Sequence, residues 1–167
     1  AVLKAIPHTS LEQRGWQTDV VIVDGKSTDA SQKVGTDAGC VVLVQPSKGK
    51  GEAVRFGFTY ALQQTYDAVI MFDADLTYNP EDILKMLNRL KSGIVVVGNR
   101  LNRNLAREAM SPVNWIGNHL LTWSAVLLHG LEIHDVCSGY WLFDREALLQ
   151  MNLNSMDFEI EAEMYAQ

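Results

Sequence analysis

Asp73-Ala74-Asp75 sets two carboxylates one residue apart at the end of a compact apolar run, Ala68 to Phe72. Carboxylates beside a buried strand lose hydration and need positive charge close by. A hard divalent cation supplies it, taking one or two carboxylates and filling its other positions with phosphate oxygens. The same residues read alternatively as a capping cluster for a helix near Glu81. Lys48-Gly49-Lys50-Gly51 is a second candidate. Glycines admit a close backbone approach and a helix N-terminus favours anions, so this loop suits a phosphate. It lacks the GxxxxGK[ST] spacing of a P-loop and reads equally as a solvated loop. Asp135-Val136-Cys137-Ser138-Gly139-Tyr140 places a carboxylate and a hydroxyl before an extended segment. Ser138 has no GxSxG setting, so a hydrolase using Ser138 with His119, His129 or His134 is a weak reading. Phe158-Glu159-Ile160-Glu161 sets two glutamates on different sides of a helix, as surface charge or with one orienting structure near a site.

These groups can act together only if the chain gathers them. Residues 1–6 read as a helix tail stopped by Pro7. Thr18 to Val23 is a β-branched run closed by Asp24-Gly25, as expected of a buried parallel strand. Ser27-Thr28-Asp29 opens a helix over Ala30–Ala38. Val41–Val44 is a second strand, Glu52–Gln64 a helix, Ala68–Phe72 a third strand, Glu81–Lys91 a helix and Ile94–Val97 a fourth strand. Alternating strands and helices predict an α/β fold with a parallel, doubly wound sheet. In such sheets ligands bind beyond the carboxyl ends of the strands. Asp24, Asp73-Ala74-Asp75 and Gly98-Asn99-Arg100 all follow strands, so they are expected on one edge. Residues 101–111, with Arg103 and Arg107, read as a loop. Val113 to Leu128 is a long apolar helix, read first as core and alternatively as an interfacial helix carrying Trp115 and Trp123. Short helices follow at Asp144–Leu149 and Asp157–Tyr165.

With 167 residues, 47% of them hydrophobic, the chain fits one domain over 1–167. A net charge of -6 argues against nucleic acid as the partner. Cys40 and Cys137 lack metal-ligand spacing, which predicts reduced thiols and a cytoplasmic setting. No secretory signal opens the chain, and no apolar run reaches the roughly 18 residues of a membrane span. Both ends fall within helical patterns, so flanking segments are expected.

Taken together, the motifs resemble glycosyltransferase family 2, and within it the dolichol-phosphate or polyprenyl-phosphate mannose or glucose synthases. Val23-Asp24-Gly25-Lys26-Ser27-Thr28-Asp29 is similar to the family's VDDGSTD segment, and Lys48 to Ala53 to its GKGxA loop. Asp73-Ala74-Asp75-Leu76 with Pro80-Glu81 is similar to DADLQHxPE, and Gly98-Asn99-Arg100 to GxR. Asp135 with Ser138-Gly139 is similar to DxxSGF, and Phe158 to Glu161 to FExE. Six motifs in the family's order carry the resemblance over the whole chain. Gly25 and Lys26 stand where the pattern has Asp-Gly, Thr77 where it has Gln, and Trp141 where Arg is frequent. The family's first strand, with its Pro-x-Tyr-Asn-Glu segment, is absent before residue 1.

The resemblance implies the GT-A fold, Rossmann-like with a mostly parallel sheet flanked by helices and lacking its first strand. It implies an inverting transfer from a UDP- or GDP-sugar to an acceptor, foremost polyprenyl (dolichyl) phosphate, assisted by Mg2+ or Mn2+. Asp24 would contact the nucleotide base and Lys50 would lie near the nucleotide. Asp73 would serve the ribose or phosphate side and, with Asp75, the metal. Arg100 and Ser138 would hold the acceptor phosphate or donor sugar, with Asp135 near the acceptor. A phosphate acceptor is already anionic at neutral pH, whereas a sugar hydroxyl needs a base, for which Asp135 is the candidate. A nucleotidyltransferase and a non-catalytic nucleotide-sugar binding module are the alternatives. A polyprenyl phosphate acceptor implies a place at the cytoplasmic face of the membrane.

Overall fold

A computed structural model describes residues 2–75, 77–99, 116, 117, 119, 120, 122, 123, 127, 135 and 137–167. β1 (Val21–Asp24) and β2 (Val41–Val44) run parallel, with Val21 opposite Val41 and Asp24 opposite Val44. Helix α3 (Ser31–Asp37) makes the crossover between them. A second ladder places β5 (Trp141–Asp144) between β3 (Ala68–Met71) and β4 (Val95–Val97), antiparallel to both. β3 and β4 therefore share one direction, and their carboxyl ends both lie opposite Trp141. The parallel order expected for the sheet is thus interrupted by β5. This strand follows the long excursion after β4, so no short crossover obliges it to run parallel. No strand precedes β1 among the described residues; α1 (Val2–Ala5) and α2 (His8–Glu12) do, the latter unforeseen in the sequence.

β5 shows why the two faces are both filled. All four of its residues are buried. Side chains alternate along a strand, so Trp141 and Phe143 face one way and Tyr140 and Leu142 the other. The first pair packs with Val54, Phe58, Ala61, Leu148, Ile160 and Met164. The second packs with Leu11, Tyr78, Ile83 and Met86. Helix α4 (Lys50–Gln63) buries Gly51, Val54, Phe58 and Ala61 on one face. Phe58 meets Phe143 edge-on at 5.0 Å, and a Cβ on Gly57 would touch Val23 of β1 at 3.1 Å. One helix therefore covers both ladders. On the opposite face lie the 3-10 turn Pro80–Asp82 and α5 (Ile83–Leu87), shorter than the helix expected over Glu81–Lys91. The residue after α5, Asn88, keeps right-handed φ and ψ, and Gly93 with φ +70 then turns the chain into β4.

Helices α6 (Arg145–Gln150) and α7 (Ile160–Tyr165) complete the first face. Asp144 caps α6: one carboxylate oxygen accepts from Ala147 N–H and the other from Gly93 N–H, both at 2.9 Å. Burial works against its charge, but these backbone hydrogen bonds outweigh it and lower its pKa below the ordinary 3.8. Its stabilisation is therefore present above the unfolded-state pKa and fades as the pH falls through the folded-state value. Asp144→Ala is expected to lower stability by about 1–2 kcal/mol at pH 7. Urea unfolding at pH 7 and at about pH 3 should show that difference shrinking in acid; a gap constant with pH would contradict the carboxylate's part in it.

Candidate active site at the strand ends

Asp24 closes β1 and is buried. Its Oδ2 accepts from Ser27 N–H at 2.9 Å and from Gln32 Nε2 at 2.7 Å. The hydrogen bonding from Ser27, against the opposing effect of burial and with help from Gln32, holds its carboxyl below the usual range. Asp24 thus shapes the 24–29 turn. Within that turn Lys26 takes a left-handed φ of 64 and its ammonium reaches the Pro46 carbonyl at 2.5 Å.

The β2 end joins this turn to the second ladder. Gln45 N–H donates to the Asp24 carbonyl at 3.0 Å. Its amide donates to the carbonyls of Ser47 at 2.5 Å and Gly49 at 3.2 Å. α4 then begins at Lys50, two residues ahead of the expected start. Lys50 Nζ lies 3.0 Å from Asp73 Oδ1, 3.1 Å from Asp73 Oδ2 and 2.5 Å from Glu161 Oε1. Burial disfavours its charge, but the hydrogen bond to Glu161 and the charges of Asp73 and Glu161 outweigh that and raise its pKa. Asp73, Lys50 and Glu161 therefore form a partly enclosed triad joined by two salt bridges. The Phe158 ring, 75% exposed, lies beside it with its centroid 5.9 Å from Nζ.

Asp75 is exposed, and its Oδ1 accepts from Thr77 N–H at 2.9 Å. Burial pushes its pKa up, yet the Thr77 hydrogen bonds prevail, with the Lys50 charge adding to them, and the net direction is down. Its carboxylate is ionised at neutral pH. One acid of the Asp73-Ala74-Asp75 pair is thus held by lysine and the other is open to solvent.

The sequence reads the glycines around Lys50 either as a phosphate site or as a solvated loop; in the structure the chain's own backbone lies against them. A Cβ on Gly49 would sit 2.1 Å from the Met156 carbonyl oxygen, and one on Gly51 2.2 Å from that of Ser155. Glu52 N–H donates to the Met156 carbonyl at 3.2 Å. The chain's own backbone occupies the close approach, and a carbonyl meets the first turn of α4. Lys50 itself belongs to the helix.

Asp135 and Ser138 are enclosed at the start of β5, 1% and 0% exposed. The Asp135 carbonyl accepts from Tyr165 OH at 2.7 Å. Ser138 Oγ donates to the Gly98 carbonyl at 2.5 Å, tying β5 to the end of β4. Gly139 lies against Asp73: a Cβ there would come 2.3 Å from Asp73 Oδ2. Gly139 N–H also donates to Tyr78 OH at 2.5 Å. Ser138 and Gly139 thus set the wall behind Asp73. Arg100, Arg103, Arg107, Trp115, His129 and His134 lie outside the described residues.

Residues 1–151 match glycosyl transferase family 2. The chain belongs to that family. Glycosyltransferase AglJ of Haloferax volcanii is 40% identical over 147 residues, which cover 87% of the family 2 chain and 48% of AglJ. Undecaprenyl-phosphate mannosyltransferase of Micrococcus luteus is 27% identical over 152 residues, 84% of this chain and 60% of that protein. The chain thus spans about half the length of these relatives. Glucosyl-3-phosphoglycerate synthase from Mycobacterium tuberculosis, solved with Mn2+, UDP and glucosyl-3-phosphoglycerate, superposes with a TM-score of 0.63 at 19% identity over 98% of this chain and 57% of its own. The fold is GT-A.

In this family 2 chain the sequence pointed to Phe158–Glu161 without choosing between its glutamates. Glu161 is buried against Lys50, while Glu159 accepts from the N–H groups of Met156 and Asp157, each at 3.3 Å. The available signal was the Ile160/Met164 pair, which marks the inward face of α7 beside Glu161. Among the described residues no three or more metal-ligating side chains cluster. An exposed, ionised Asp75 beside Asp73 suits a hard cation that needs one or two protein carboxylates and takes diphosphate oxygens and water for the rest.

Proposed function

We propose that this chain is the core of an inverting glycosyltransferase that moves a sugar from a UDP- or GDP-sugar to polyprenyl phosphate, with Mg2+ or Mn2+ bound through Asp75 and aided by Asp73. The observation that carries this reading is Asp75, ionised and open to solvent, next to the lysine-held Asp73 at the strand ends. A bound divalent cation would supply Lewis-acid stabilisation of the departing diphosphate. Asp75 offers the carboxylate for it, and Asp73, fixed by Lys50 and Gly139, borders the same site. Asp24 shapes the turn against which the nucleotide base would lie. Arg100 remains the candidate for the acceptor phosphate.

Two further observations support a lipid phosphate as acceptor. Asp135 is enclosed, which favours an acceptor that needs no base. Ile116, Leu120, Trp123 and Leu127 are helical residues 54%, 61%, 65% and 67% exposed. Their spacing puts them on one stripe, so the helix first read as core presents an apolar face outward there, as a helix lying in a membrane interface does. Among the described residues no helix is long and apolar enough to cross a membrane. The relatedness to an undecaprenyl-phosphate mannosyltransferase points the same way.

The test is incubation of the full-length protein with labelled UDP-glucose, UDP-N-acetylglucosamine or GDP-mannose, polyprenyl phosphate and Mg2+ or Mn2+. Label in the lipid fraction is expected with one donor. Donor binding without transfer would instead favour a binding module, and release of pyrophosphate from a sugar phosphate and nucleoside triphosphate a nucleotidyltransferase. No donor binding would reject the proposal.

A further inference from the structure

Lys50 faces two carboxylates, and its closest contact, 2.5 Å, is to Glu161 rather than to the metal-side Asp73 at 3.0 Å. Glu161 is the more enclosed of the two, 8% exposed against 36% for Asp73. An enclosed carboxylate needs a permanent cation, whereas a half-exposed one can exchange its partner. A lysine resting on Asp73 alone would oppose a divalent cation arriving there. The geometry points to Glu161 as a positioning residue that shares the Lys50 ammonium with Asp73, so that Lys50 offsets Asp73 only in part and Asp73 and Asp75 keep net negative charge toward the cation.

This inference rests on the metal reading of Asp75 and goes beyond it, since it gives a role to a residue outside the proposed metal ligands. α7 is fastened where it must be for the role. Glu163 accepts from the N–H groups of Asn154 and Ser155 at 2.8 Å each, and Tyr165 OH bonds the Asp135 carbonyl. The segment ahead of α7 is itself pressed on Gly49 and Gly51. Glu161 therefore reaches Lys50 from a fixed base.

The experiment is titration of full-length protein with Mn2+ alone, followed by electron paramagnetic resonance. Glu161→Gln removes one negative charge and leaves Lys50 to Asp73 alone, so Mn2+ should bind about tenfold more weakly. The double variant Lys50→Gln/Glu161→Gln removes the competing ammonium as well and should recover the unsubstituted affinity. A loss that came only from disturbed packing would not be recovered by the second substitution. Unchanged Mn2+ binding in Glu161→Gln, or a double variant as weak as the single one, overturns the inference. If Glu161→Gln does not fold, Lys50→Gln alone decides: tighter Mn2+ binding supports the role and unchanged or weaker binding overturns it. Absence of Mn2+ binding to the unsubstituted protein overturns the metal centre itself and this inference with it.

Discussion

Asp75→Asn is expected to lower kcat/KM for sugar transfer by about 10^3 while leaving the fold intact. Metal assistance to a leaving diphosphate contributes several kcal/mol to the transition state, and each 1.36 kcal/mol is tenfold in rate. The structural role of Asp75 is slight: it is exposed, and Oδ1 accepts one hydrogen bond from Thr77 N–H. An asparagine oxygen can accept that bond, so the substitution isolates the charge. Asp73→Asn is a different experiment, because it also loosens Lys50 and leaves Glu161 as its remaining carboxylate partner in the triad. Steady-state transfer assays with Mn2+ varied will show the loss, with thermal melting as the control for folding. Activity within threefold of the unsubstituted protein would remove Asp75 from the metal site.

Gly51→Ala is expected to destabilise the protein by about 2–3 kcal/mol, the scale of overpacking in a filled core. The sign is what makes the prediction sharp. In an exposed helix the same change stabilises by about 0.5–1 kcal/mol, because glycine loses more freedom on folding. Here the new Cβ would lie 2.2 Å from the Ser155 carbonyl oxygen and 2.7 Å from the carbonyl carbons of Ser155 and Met156. All three are backbone atoms, so no side chain can swing away. The 155–156 segment would have to lift, breaking the Glu52–Met156 hydrogen bond and drawing Glu161 off Lys50. Urea unfolding should show a lower midpoint with the slope unchanged. A midpoint equal to or above that of the unsubstituted protein would mean that 155–156 does not pack on α4 as described.

The two substitutions probe one structure from opposite sides. Asp75 is open to solvent; Gly51 is closed and lets the chain approach itself. Between them stands Lys50, which the sequence placed in a loop readable as phosphate-binding or solvated and the fold places at the start of a helix, among carboxylates. A glycine-lysine-glycine stretch before a helix has the same local chemistry in either case. Nothing within it tells whether the partner will be a ligand or a backbone carbonyl from residue 155 or 156, about a hundred residues away.

Much was legible from local order. Val41–Val44 was readable as a strand to the residue, because a short β-branched run between turn signals has few other stable states. The Asp24 and Asp73–Asp75 clusters could be placed at strand ends because each directly follows such a run. The parallel β1–β2 pair and the common direction of β3 and β4 put each acidic cluster at the carboxyl ends of its own ladder. Family membership was equally open to a reader of six ordered motifs.

The amino-acid sequence by itself determined the strand runs, the acidic ends and the kinship, since these depend on neighbouring residues and their order. Tertiary structure alone decided that β5 enters antiparallel between β3 and β4, that Ser138 and Asp135 are enclosed, and that Glu161 rather than Glu159 meets Lys50. Each of these is a contact between residues far apart in the chain. Such a contact is chosen by which surfaces can be buried together and which charges must then be paired, and no local pattern carries that information.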